Sequence, residues 1–256
     1  MHESLAFTNF LNHTFGGPLS ALLVKLGMHP AVAGQTSALS FNSAAPFTDT
    51  FATELGLGIV LLLLFVLVRM TLNVEEPGPV QNTAEWINEF VGGQADQIIG
   101  PGYERFQAFV TTILIFILCS NMLGLIPGLE TPTENPKVPL GLAILTFIYY
   151  NYHGLRVQGP VGYLKHFLGP IWWISWLMFP IEIISHFARM MSLTIRLFAN
   201  MYASELVTIV FFSIIPIGLP IVFLGLHVFV GVIQAYVFML LSMIYLTIAV
   251  TVEHEH

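Results

Sequence analysis

Between Ile181 and Ser213 the chain contains neither proline nor glycine, and from Ile221 to Val252 only Gly225 and Gly231 interrupt a second apolar run. As helices rising 1.5 Å per residue, each stretch would reach about 50 Å, whereas the hydrocarbon core of a bilayer is about 30 Å thick. Neither fits upright. Apolar residues persist to both ends, so the pattern predicts two long antiparallel helices, tilted more than about 40° from the membrane normal, with a turn at Ile214 to Pro220. Composition puts the whole chain in the same setting: 55% of its residues are hydrophobic and 9% charged, with a mean hydropathy of +0.79. The expected fold class is an all-α polytopic membrane protein, with about three conventional transmembrane helices, one interfacial amphipathic helix and this long, strongly tilted C-terminal hairpin.

The conventional spans read as 51–72, 106–126 and 138–153, the last two forming a hairpin. Between them, NVEEPGPVQN breaks the chain, and IPGLETPTENPKVP carries four prolines and two glutamates that no helix in lipid would continue through. Over residues 80–99, Val80, Ala84, Ile87, Val91 and Ile98 recur at helical spacing, with Glu85, Glu89, Asp96 and Gln97 largely between them. Such a helix lies in the membrane interface or packs on a soluble partner. The stretch HGLRVQGPVGYLKHFLGP reads as a Gly- and Pro-rich loop, after which Trp172, Trp173 and Trp176 return to the interface at the start of the hairpin, 171–213 with 217–252. Residues 1–50 form an extracytoplasmic N-terminal segment in which no cleaved signal peptide is expected. Arg69, Arg105, Arg156 and Lys165 lie on one side and Lys25 and Lys137 on the other, which places the first group in the cytoplasm and the N-terminus outside.

The same composition excludes several functions. Fifteen carboxylates against eight basic residues give a net charge of −7, and no basic run exists to hold nucleic acid. No Gly-Lys pair is present, so a phosphate-cradling loop cannot form. The single cysteine, Cys119, lies in an apolar run and can build neither an internal disulfide nor a zinc site. No cofactor or metal is expected.

Polar residues inside the hairpin are therefore the informative ones: Glu182, His186, Arg189, Arg196, Asn200, Glu205, His227 and Gln234. A charge at the bilayer centre costs from about 3 to over 10 kcal/mol, so these groups must face water, a partner or one another. At 100° per residue Glu182, Arg189, Arg196 and Asn200 share a broad face, while Glu205 points to the opposite side. With a turn near Pro216, Glu205 comes level with His227, and Arg196 nearly level with Gln234. Glu182 and His186 then lie toward the cytoplasm. Carboxylates and histidines exchange protons near neutral pH, whereas arginine does not, so Arg196 interrupts any proton relay through the chain. It would also favour ionisation of an acid brought beside it. No acid of its own chain stands level with it on that face, so the anion should come from another subunit. Plainer roles exist for its neighbours: ion pairing for Glu182 or Glu205, a helix hydrogen bond for His186, interhelical bonding for Asn200, His227 and Gln234, and snorkelling for Arg189.

The segments RLFANMYASEL and LHVFVGVIQAYVFMLLSMIYL closely resemble the fifth and sixth helices of the membrane a subunits of F-type ATP synthases, and NMLGLIP resembles an earlier helix of that family. The resemblance implies a non-catalytic stator subunit of a rotary motor in a bacterial inner membrane, with its N-terminus periplasmic and its C-terminus cytoplasmic. Its partners would be a ring of c subunits, b-type peripheral stalk subunits, the remaining ATP synthase subunits and membrane lipid. By position, Arg196 would face the ring with Asn200 and Gln234 beside it. Glu205 and His227 would line the outer half-channel, and Glu182 the cytoplasmic one; the resemblance gives His186 no firm counterpart. Ala199 stands where the family often has glycine, and Met190 and Met191 where a proline often follows the basic residue. Two other readings compete on the residues alone. A proton-coupled secondary transporter would use similar groups, although no internal repeat is visible, and a membrane haem protein could use His186 and His227 as axial ligands.

Overall fold

A computed structural model describes residues 6–25, 28–30, 40–41, 49–70, 72–73, 78–126, 131–168, 175–214 and 219–250. It is a helical bundle: α1 (Ala6–Lys25), α2 (Asp49–Met70), α3 (Pro79–Ile99), α4 (Glu104–Leu123), α5 (Lys137–Leu168), α6 (Ser175–Ile214) and α7 (Leu219–Val250). A short 3₁₀ turn, Pro132–Glu134, precedes α5, and a two-residue parallel bridge pairs His29–Pro30 with Ser40–Phe41. Four of the helices are long and apolar enough to cross a bilayer, at Phe51–Met70, Glu104–Leu123, Trp176–Ile214 and Ile221–Val250. Trp172, Trp173 and the hairpin turn at 215–218 lie outside the described residues.

The centre of the bundle is where α4, α6 and α7 meet. On α4, Phe106, Val110, Ile113, Ile117 and Asn121 recur every three or four residues and are all buried, so one stripe of this helix faces inward. Opposite it, α7 offers Gly231, Ala235, Ser242 and Ala249, small residues that let the two backbones approach. The fit is tight at Gly231, where a methyl group would stand 3.0 Å from Met122 Cε and 3.2 Å from Asn121 Cβ. From α6, Leu193, Leu197 and Met201 close the core at intervals of four residues. Lipid surrounds such a bundle, so outward apolar side chains carry no hydration penalty. This accounts for α2, most of whose side chains point outward.

Pro79 in the first turn starts α3, where a missing N–H costs nothing, and Gln81 ties the preceding chain to it by accepting from Asn73 N and donating to Asn73 O, both at 3.1 Å. Its buried residues Val91 and Ala95 join the core against α4 and α7. Tyr236 of α7 donates to Gln94 Oε1 at 3.1 Å, and Gln107 of α4 to Asn88 O at 2.7 Å.

The segment after His153, expected as a loop, is helical to Leu168; the chain bends once, at Gly159 (φ 72°, ψ 161°), a positive-φ, extended-ψ conformation that glycine adopts without steric cost. The N-terminal segment contains a helix, α1, which runs through Gly16, Gly17 and Pro18 and packs on α2.

Candidate functional site

A line of polar groups follows the hairpin from one end to the other. Arg196 stands two residues past the buried pair Leu193 and Thr194 but points outward, because a step of two or three residues on a helix carries a side chain far round the axis. Its Nη2 donates to Ser192 Oγ over 3.4 Å, a long and weak contact. Among the described residues no carboxylate lies within 4.0 Å of the guanidinium. One turn further, Asn200 Nδ2 donates to Gln234 Oε1 of α7 at 2.9 Å. Gln234 is therefore the cross-hairpin partner of Asn200, not of Arg196.

Toward the turn of the hairpin the ring of His227 is held between two helices. Its Nε2 lies 3.1 Å from the carbonyl oxygen of Asn121 on α4, which can only accept, so Nε2 carries the hydrogen. In the neutral ring Nδ1 then accepts from the Ser204 hydroxyl, 3.0 Å away on α6. Asn121 is fully buried and fixes this corner: its Nδ2 donates to Gly231 O at 3.0 Å, and its Oδ1 accepts from Thr133 Oγ1 at 2.7 Å. The expected contact between Glu205 and His227 is thus made by Ser204 instead. The register is off by one residue, and one residue on a helix turns a side chain by 100°. Glu205 is half-buried, and its Oε2 is a buried oxygen with no hydrogen-bond partner among the described residues.

At the other end of α6, Glu182 stands beside His186 and Arg189. Its Oε1 lies 3.4 Å from His186 Nδ1 and 3.6 Å from an Arg189 nitrogen, and His186 Nδ1 also lies 3.1 Å from the Glu182 carbonyl oxygen. The Arg189 guanidinium sits 5.7 Å from the centre of the Tyr245 ring. These groups, with Tyr150, line a cavity of about 10 Å³, room for about one water. Arg189 is therefore tied to Glu182 and Tyr245, although a snorkelling role was the plainer expectation.

The structure thus divides the expected residues into two clusters, Glu182 with His186 and His227 with its partners, separated by Arg196, Asn200 and Gln234. Ser204, Asn121, Thr133, Tyr150 and Tyr245 belong to these clusters and were not singled out from sequence. Asn121 carried a usable signal, a polar side chain in an apolar span. His186 and the partner of His227 stand 18 residues apart on α6, about 27 Å, too far for the two histidines to ligate one haem iron.

Fold and site together define a polytopic α-helical membrane protein with ionisable groups placed along an extended hairpin. The family described as ATP synthase A chain matches residues 51–247. The chain is 47% identical to ATP synthase subunit a of Koribacter versatilis (strain Ellin345), with 100% of both chains covered. It is 46% identical to ATP synthase subunit a of Solibacter usitatus (strain Ellin6076), over 83% of this chain and 91% of the relative, and 39% identical to that of Sulfurimonas denitrificans, over 82% and 93%. The chain belongs to the ATP synthase A chain family. It is a non-catalytic, multi-pass membrane subunit of an ATP synthase that serves proton transport.

Proposed function

We propose that this chain is the stator of a rotary proton motor, in which two aqueous half-channels load and unload carboxylates on a turning ring of c subunits. The observation that carries this reading is Arg196, a permanent cation on the outer face of a membrane helix, with no acid of its own chain paired to it among the described residues. A cation in lipid without an anion is costly, so a carboxylate supplied by a neighbouring subunit is its natural complement. Glu205 and His227 line the outer half-channel, with a buried carboxylate oxygen open to a proton. Glu182 and His186 line the inner one, beside a cavity of one water's size. Asn200 and Gln234, bonded to each other, flank the arginine. A proton arriving past Glu205 neutralises a ring carboxylate, which can then turn through lipid. After nearly a full revolution the site reaches the inner half-channel and ionises beside Arg196.

The N-terminus is periplasmic and the C-terminus cytoplasmic in a bacterial inner membrane, residues 51–256 form the membrane domain, and b-type subunits join the ring as partners. Each charge crossing 100 mV releases about 2.3 kcal/mol, so several protons must pass per ATP. Arg196→Lys and Arg196→Ala should abolish ATP synthesis driven by a proton gradient in inverted vesicles, while ATP hydrolysis by the soluble head persists. Normal coupled synthesis in either variant would remove Arg196 from the mechanism.

A further inference from the structure

At the end of the bundle where α4 begins and α7 finishes, a cavity of about 590 Å³ opens between α4, α5 and α7. Arg105 and Arg156 reach it from different helices, together with the ring of His153. Neither arginine has an ion-pair partner among the described residues, and Glu104, the acid next to Arg105, is exposed and makes none. Two permanent cations facing one cavity repel each other until an anion sits between them. Apolar side chains, among them Phe106, Val157 and Val250, line the cavity as well. His153 adds no flexibility, because it is packed edge-on against Phe106 with ring centres 5.0 Å apart and against Tyr149 at 4.5 Å. Thr247 turns its hydroxyl back to Ile98 O and Met243 O, at 3.1 and 3.0 Å, so the polar side of the cavity is cationic.

From this arrangement we infer that the cavity binds the phosphodiester headgroup of an anionic phospholipid. Two guanidinium groups present planar pairs of N–H donors to phosphate oxygens, which lysines could not reproduce. The volume falls within the range of small-ligand sites, and the mixed lining suits an amphiphile better than a free ion. Two candidate membrane spans, one beginning at Glu104 and one ending at Val250, terminate beside the cavity, which puts its mouth at the level of lipid headgroups. A headgroup held there would bridge the start of α4 to the second half of α5. Earlier on α5, the Tyr149 ring already meets Phe106 and Phe109 of α4.

The test uses the whole purified complex in nanodiscs of phosphatidylcholine containing a trace of photoactivatable phosphatidylglycerol or of its phosphatidylcholine counterpart. Labelling of this chain is expected to map to residues around the cavity and to favour phosphatidylglycerol. Replacing both cations, Arg105→Gln with Arg156→Gln, should weaken that labelling about thirty-fold, roughly fivefold per arginine, while Lys25→Gln leaves it unchanged. Equal labelling by the two lipids in the unsubstituted complex would overturn the proposal whether or not the double variant assembles. So would labelling unaffected by the double substitution in an assembled complex. In a detergent-solubilised arm, inorganic phosphate that displaced the lipid at equal concentration would show a site for a free anion and overturn the lipid assignment.

Discussion

Gly124 provides a sharp test of how closely α4 packs beside His227. It stands one residue beyond α4 with φ −63° and ψ −11°, a right-handed helical conformation open to any residue. By backbone entropy alone, alanine there should stabilise the fold by about 0.4–1 kcal/mol. Its methyl group, however, would run into Thr131 Oγ1 and come within 3.3 Å of both Thr131 Cβ and His227 Nε2. Thr131 is buried, so its side chain has nowhere to retreat, and overpacking of this kind costs about 1–3 kcal/mol. The sum predicts a net loss of about 1–2 kcal/mol for Gly124→Ala, with the His227 ring displaced from Asn121. Two readouts should fall together: the temperature at which the subunit leaves the complex in detergent, and ATP-driven proton pumping into vesicles. A second substitution isolates the cause. Thr131 Oγ1 has no hydrogen-bond partner among the described residues, so Thr131→Ala gives up no bond and clears the obstruction. The pair Gly124→Ala with Thr131→Ala should recover most of both losses. A single variant at least as stable as the unsubstituted protein, or a double variant no better than the single, would refute the steric argument.

Asn121→Ala removes the bonds to Gly231 O and from Thr133, and at membrane hydrogen-bond strengths should destabilise the subunit by about 1–3 kcal/mol, read by the same heating experiment. Ser204→Ala should slow proton pumping by withdrawing the hydroxyl from His227 Nδ1, whereas Ser204→Thr, which keeps it, should pump nearer the normal rate. At Gly159, alanine would be forced into a positive-φ, extended-ψ conformation that is essentially glycine's alone and costs about 1–3 kcal/mol; limited proteolysis should then cut the second half of α5 faster, with no change in α4.

The helices α2, α4, α6 and α7 were legible because apolar runs bounded by prolines and charges have few other uses in a chain with so little charge. Arg196 drew attention for a similar reason, since ions are few in such a run. What sequence could not supply was the choice between adjacent side chains. Counting from the hairpin turn brought Glu205 beside His227, but the neighbouring Ser204 makes the contact, because an uncertainty of one residue is already 100° of rotation. The helix α1 was hidden by Gly16, Gly17 and Pro18, which normally argue against one, and its contact with α2 outweighs their local preference. The stretch after His153 was misread for a related reason: its glycines and proline suggested a loop, and a single bend at Gly159 absorbs the break. Asn121 was visible as a polar residue but not as a junction, since its partners come from separate segments of the chain.

That separation has a consequence for how the protein is made. Thr133 emerges 12 residues after Asn121, but Gly231 follows only 110 residues later and His227 only 106. At bacterial translation speeds of about 5–20 residues per second, the asparagine waits roughly 5–20 s for the last helix to arrive. Through that interval the nascent hairpin holds a half-satisfied amide in or near the insertion machinery, which makes late docking of α7 the step that seals this corner.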